Sequence, residues 1–234
     1  MDDVPAHGAT IPSAPMAEPR RVGNRPTALP PAERTIGQLV GESIRFYGEH
    51  FWHCLALGLA PAALAVVGAN VSRAVAVVLS PTLFGALLSA AYVGASVVVL
   101  EQRPDNRRLV MAWVAGWLVF APVPFLVLGF VIPGVAWLAA LGLVVPVIVV
   151  EDRSLGAAFR RAWRLARADY LHAFGSIATL AILVFLTQAV LAFTLRSFGG
   201  AGVSVAFFLA IVVVSPLLFV GTALLYVDQD ARVQ

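Results

Sequence analysis

The residues best equipped for chemistry are Arg160, Arg161, Arg164 and Arg167, in the stretch EDRSLGAAFRRAWRLARADY from Glu151 to Tyr170. The planar donor fork of arginine matches the oxygens of a phosphate group. At 100° per residue the four fall on one side of a helix, while Leu155, Phe159, Ala162, Trp163, Ala166 and Tyr170 share one third of the circumference opposite. A soluble amphipathic helix packed on protein would show the same pattern. Here, however, the uncharged runs on either side are each long enough to cross a bilayer. The pattern therefore predicts a helix lying in a membrane interface, with its apolar face in the acyl boundary and Trp163 at headgroup depth. Arg160, Arg161, Arg164 and Arg167 would lie on anionic headgroups. That chemistry is binding, not bond-making.

Other reactive residues are sparse. His53 and His172 occupy matching places at the entry of a span, yet two histidines without placed Cys or carboxylate partners do not make a zinc site. The single cysteine, Cys54, excludes an intrachain disulfide and a thiolate cluster. No HExxH, GxSxG or phosphate-loop pattern occurs. The polar residues within the apolar runs are mostly Ser and Thr, which bond their own or a neighbouring helix. No catalytic residue, metal or cofactor is expected. A sequence pI near 9.6 does not imply nucleic-acid binding, because the basic residues are confined to short segments beside apolar runs.

The elements that must carry these residues are membrane spans. The chain is 60% hydrophobic and 12% charged, about half the charge of an average soluble domain. Five blocks lack any charged residue: Phe51 to Ser72, Ala74 to Leu100, Leu109 to Val150, Ala173 to Leu195 and Ser197 to Val227. The third is twice too long for one crossing, and the turn-forming Gly129 to Gly134 folds it into a hairpin. Six spans result, about 51–72, 76–100, 109–129, 132–150, 173–195 and 203–227. Proline occurs in five of them, at Pro61, Pro81, Pro122 with Pro124, Pro146 and Pro216, where it removes a backbone donor and tends to kink the helix. Residues 1–34 hold seven of the 15 prolines and no signal-peptide pattern, and read as a disordered tail. The predicted fold is all-α: a polytopic membrane helix bundle with six transmembrane helices and two amphipathic interfacial helices on the cytoplasmic side.

The other interfacial helix is expected over about 35–50, and the arginine-rich one covers about 154–170. Thr35 and Gln38 form a capping box, Ile36, Leu39, Val40, Ser43 and Tyr47 share one face, and Glu42, Arg45 and Glu49 make a ladder of weak pairs opposite. The two helices match at an offset of 119 residues: Thr35-Ile36-Gly37 with Ser154-Leu155-Gly156, Arg45 with Arg164, Phe51 with Tyr170, His53 with His172. This predicts an internal duplication. A second echo, Ser80-Pro81 against Ser215-Pro216, sits at a different offset. Four spans between the two helices place both on one side of the membrane. That side carries 14 arginines against Arg73 and Arg196 on the other, so it and both termini are expected in the cytoplasm of a bacterial inner membrane.

The run Pro146-Val147-Ile148-Val149-Val150-Glu151-Asp152-Arg153-Ser154, continuing through Ala158-Phe159-Arg160-Arg161-Ala162-Trp163-Arg164-Leu165, resembles the glycerophosphoryl diester phosphodiesterase membrane-domain family and related six-span bacterial membrane proteins. Leu224-Leu225-Tyr226-Val227-Asp228 is similar to the closing motif of the same family. Ala162 stands where the family usually has Ser, and Gln229-Asp230 replaces a common Leu-Arg. The resemblance implies a membrane module that can be joined to a separate catalytic barrel, and it carries no catalytic residue onto this chain. The expected function is a non-catalytic membrane protein in lipid or envelope physiology, or a platform for a protein partner on the cytoplasmic face. A small transporter or flippase component is the alternative, and an enzyme acting on glycerophosphodiesters ranks below both. The expected partners are membrane lipids with anionic headgroups, and no nucleic acid.

Overall fold

The structure, a computed structural model, describes residues 30–194 and 199–233. The expected disordered tail lies outside these residues up to position 29. Among the described residues every regular element is helical: α1 (Ile36–Glu49), α2 (Phe51–Asn70), α3 (Arg73–Leu79), α4 (Gly85–Val99), α5 (Asn106–Phe120), α6 (Val123–Gly129), α7 (Val131–Leu141), α8 (Val144–Glu151), α9 (Leu155–Ala168), α10 (Tyr170–Thr194), α11 (Gly199–Val214) and α12 (Pro216–Val233). Six stretches are long and apolar enough to cross a membrane: Phe51–Asn70, Ala74–Val99, Asn106–Val127, Val131–Glu151, Tyr170–Thr194 and Phe207–Val233. The chain is a polytopic helical membrane protein.

Proline explains why the spans come in pieces, because each one removes a backbone donor from its helix. Pro81 lies in a π turn, Ser80–Phe84, that joins α3 to α4. Ala121 and Pro122 separate α5 from α6, and Ser215 alone separates α11 from α12, which begins at Pro216. In the fourth span Pro146 cannot donate to the carbonyl of Gly142, four residues earlier. The hydroxyl of Tyr92 donates to that oxygen instead, at 2.9 Å. Trp137 Nε1 similarly donates to Val119 O at 2.9 Å beside the α5–α6 break. Carbonyls at the helix breaks thus become contacts between helices. Phe130, in extended backbone, makes the turn between α6 and α7, so the long third block is a hairpin as expected.

With no water to exclude from between them, membrane helices associate through close packing. Gly58 of α2 lies against the backbone of Val212 in α11, where any Cβ would overlap Val212 O. At the centre, Tyr92, Phe120 and Phe219 pack ring to ring with centroids 5.9–6.3 Å apart. Leu143, Ile148, Leu165, Ile177 and Leu225 are fully buried around this region.

Helices α1 and α9 carry the amphipathic patterns. The Thr35 capping box forms, with Gln38 Oε1 accepting from Thr35 N at 2.8 Å. Leu39 and Ser43 of α1 are fully buried where α1 packs on α10 and α12. Ala158, Ala162, Leu165 and Ala166 of α9 are fully buried against α7, α8 and α12. The packed strip of α9 is therefore its small-residue side, which permits close approach, and Phe159 and Trp163 stand at its edge. Both bounds of α1 recur in α9 at the 119-residue offset, and the start of α2 recurs at the start of α10. In each case the next span is broken at Ser-Pro, at Ser80-Pro81 and at Ser215-Pro216.

Candidate functional site

Three groups of charged residues gather at the end of the bundle where α9 meets the last turns of α8 and α12. The first centres on Glu151, the last residue of α8. Its carboxylate accepts from Arg153 Nε at 2.5 Å, Arg161 Nε at 3.1 Å and the Tyr226 hydroxyl at 3.2 Å. Arg161 also pairs through Nη2 with Asp230 at 2.5 Å. Burial works against the charge of Arg161, but the Glu151 and Asp230 carboxylates outweigh it and hold the guanidinium protonated more firmly than usual. This cluster joins α8, α9 and α12.

The second group surrounds Asp228, which is fully buried. Residues 30–34, placed by composition in the disordered tail, are described here: Pro31–Glu33 form a 3-10 turn packed on α12, and Arg34 Nη1 meets Asp228 Oδ1 at 2.8 Å. Arg232 ties the same place together, donating to Asp169 Oδ2 at 2.6 Å and to the Arg34 carbonyl at 3.0 Å. Asp169 in turn caps α10, accepting from His172 N at 3.0 Å. His172 Nε2 lies 3.9 Å from Asp228 Oδ2, beyond hydrogen-bond reach, and neither atom has a hydrogen-bond partner among the described residues. Asp228 is the ionisable group that the reading of uncharged blocks passes over, because such a block ends at the first charge. α12 nevertheless stays helical to Val233.

The third group is the outward face of α9. Arg160, Arg164 and Arg167 are exposed, as is Trp163. None of the ion pairs among the described residues includes these three arginines. Arg153, Ala157, Arg160, Trp163 and Arg164 line an open cleft of about 500 Å³. Of the residues expected on lipid headgroups, four thus share one surface, while Arg161 is turned between Glu151 and Asp230. The two histidines have different surroundings, since His53 is exposed on α2 and His172 is buried beside Asp228.

Chemically, the first two groups fasten helices to one another. The third offers unpaired guanidinium groups around an aromatic ring, which can take a phosphate and lie against apolar chains. The stretches that carry the family resemblance meet at Glu151: Arg161 from the arginine-rich run and Tyr226 from the closing motif both donate to it. Asp230, one of the two departures after Asp228, supplies the second partner of Arg161. Comparison with models of protein families, with curated proteins and with solved structures finds no match for this chain.

Proposed function

We propose that this is a non-catalytic, lipid-associated protein of the bacterial inner membrane, with α9 and both termini on the cytoplasmic side, whose α9 face binds anionic phospholipid headgroups. It acts in lipid or envelope physiology, or holds a protein partner at that face. The observation that carries the reading is the sorting of arginines. Arg34, Arg161 and Arg232 are consumed in partly buried pairs, whereas Arg160, Arg164 and Arg167 share an exposed face with Trp163 and pair with no carboxylate among the described residues. The resemblance to the phosphodiesterase membrane-domain family supports a lipid setting and lends no activity.

Each basic residue near an anionic surface contributes about 1 kcal/mol. Three together favour an anionic over a neutral lipid by roughly a hundredfold at low salt, and the ratio falls as salt screens it. The test is native mass spectrometry of the full chain in detergent, titrated with phosphatidylglycerol and with phosphatidylcholine. The wild type should prefer the anionic lipid, and Arg160→Gln, Arg164→Gln and Arg167→Gln combined should remove the preference. Equal retention of both lipids by the wild type would overturn the reading.

A further inference from the structure

Where α10 leaves α9, the α6–α7 hairpin leans against it and leaves an apolar groove of about 480 Å³. Val127, Val131 and Val135 form one wall, and Phe174, Ala178 and Phe185 form the other. Two magnitudes say what fits. From Phe174 to Phe185 the groove follows α10 for eleven residues, about 16 Å at the rise of an α-helix. That is about half of the ~30 Å hydrocarbon core, the thickness of one leaflet. A methylene takes about the room of a water molecule, ~30 Å³, so the volume holds about sixteen of them, one acyl chain.

The mouth of the groove is also chemically marked. The Tyr170 ring packs on Phe174 with centroids 6.3 Å apart, and its hydroxyl donates to Ala136 O at 3.1 Å, bridging α10 to α7. Three residues before Tyr170 stands Arg167, exposed and unpaired among the described residues, and four before that stands Trp163. Trp163 and Arg167 stand one turn apart near the end of α9, Tyr170 and Phe174 one turn apart at the start of α10, and the chain turns at Asp169 between them, so the cationic end of α9 leads within three residues to the mouth of the groove. We propose that this groove and the end of α9 form a single phospholipid site. One acyl chain lies between α7 and α10, and the phosphate of an anionic headgroup sits on Arg167 and Arg164. The site rests on the headgroup reading of α9 and adds a bound stoichiometry of one lipid.

The test uses the full chain, delipidated stepwise in detergent and followed by native mass spectrometry with added phosphatidylglycerol or phosphatidylcholine. The wild type should keep one phospholipid after the others have been stripped. Ala178→Trp, which fills the groove and leaves the arginines untouched, should weaken retention of that lipid at least tenfold for both headgroups. Ala181→Phe should do the same, with helical circular dichroism showing that each variant is folded. Val190→Trp, on an exposed part of α10 outside the groove, is the control and should retain the lipid. If Ala178→Trp and Ala181→Phe hold the lipid as well as Val190→Trp, the groove is ordinary lipid contact and the proposal fails, while a surviving preference for phosphatidylglycerol would leave the headgroup reading intact. If both groove variants lose the lipid but Arg164→Gln with Arg167→Gln leaves headgroup preference unchanged, the phosphate half is overturned and the groove stands.

Discussion

Removing the Asp228 carboxylate should be among the most damaging single changes in this protein. Asp228 is fully buried and the Arg34 side chain is 12% exposed, with 2.8 Å between them. Arg34 has no second carboxylate among the described residues, so Asp228→Ala leaves a guanidinium stranded in a dry place. Breaking a buried pair from one side costs about 3–5 kcal/mol, whereas replacing both partners with apolar groups is often close to neutral. Arg34→Met should be costly for the converse reason, since it leaves a bare carboxylate, and Arg34→Met with Asp228→Leu should lie within about 1 kcal/mol of the wild type. The assay is reversible unfolding of the full chain in mixed micelles by titrating a denaturing detergent, read by helical circular dichroism. Asp228→Leu, Arg34→Met and their double variant form a cycle whose coupling energy should be about 5 kcal/mol or more, because each single loss is large and the double is near neutral. A cycle in which the two single effects add, or an Asp228→Ala variant that unfolds at the wild-type midpoint, would refute the reasoning.

Two further expectations concern topology and packing. Reporter fusions after Gln234 and after Arg196 should report opposite compartments, given the 14 to 2 distribution of arginine, and a shared compartment would remove the six-span arrangement. Gly58→Leu should force α2 away from the Val212 backbone and destabilise the fold by about 1–3 kcal/mol. A variant with wild-type stability in the same titration would show that the α2–α11 approach is not tight.

Much of this architecture is legible in the sequence because membranes impose simple rules. Length without charge locates the spans, and Thr35 with Gln38 fixes the start of α1 through a local hydrogen-bond exchange that needs no tertiary partner. The Glu42, Arg45 and Glu49 ladder is local in the same way, with contacts of 2.5 and 3.7 Å. The division among the arginines of α9 is not legible. Arg160 and Arg161 are neighbours on one polar face, and only Glu151 and Asp230, 10 and 69 residues away, separate their roles. Asp228 is hidden for a similar reason, because its partner Arg34 lies 194 residues away in a segment whose proline content reads as unstructured.

The π turn at Ser80–Phe84 has a mechanical consequence for a chain whose two ends echo one another. From Pro81 to Tyr92 there are eleven residues, and from Pro216 to Tyr226 there are ten. In an ordinary α-helix one additional residue swings everything beyond it by 100° around the axis. A π turn absorbs that residue in its wider ring. Tyr92 and Tyr226 accordingly both point at the fourth span, one donating to the Gly142 carbonyl at its break and the other to the Glu151 carboxylate at its end. The turn works as an expansion joint. It lets the helix carry one more residue while the side chains beyond it keep their bearing, so taking one residue out of Ser80–Phe84 should close the ring to an α turn and leave Tyr92 where it is.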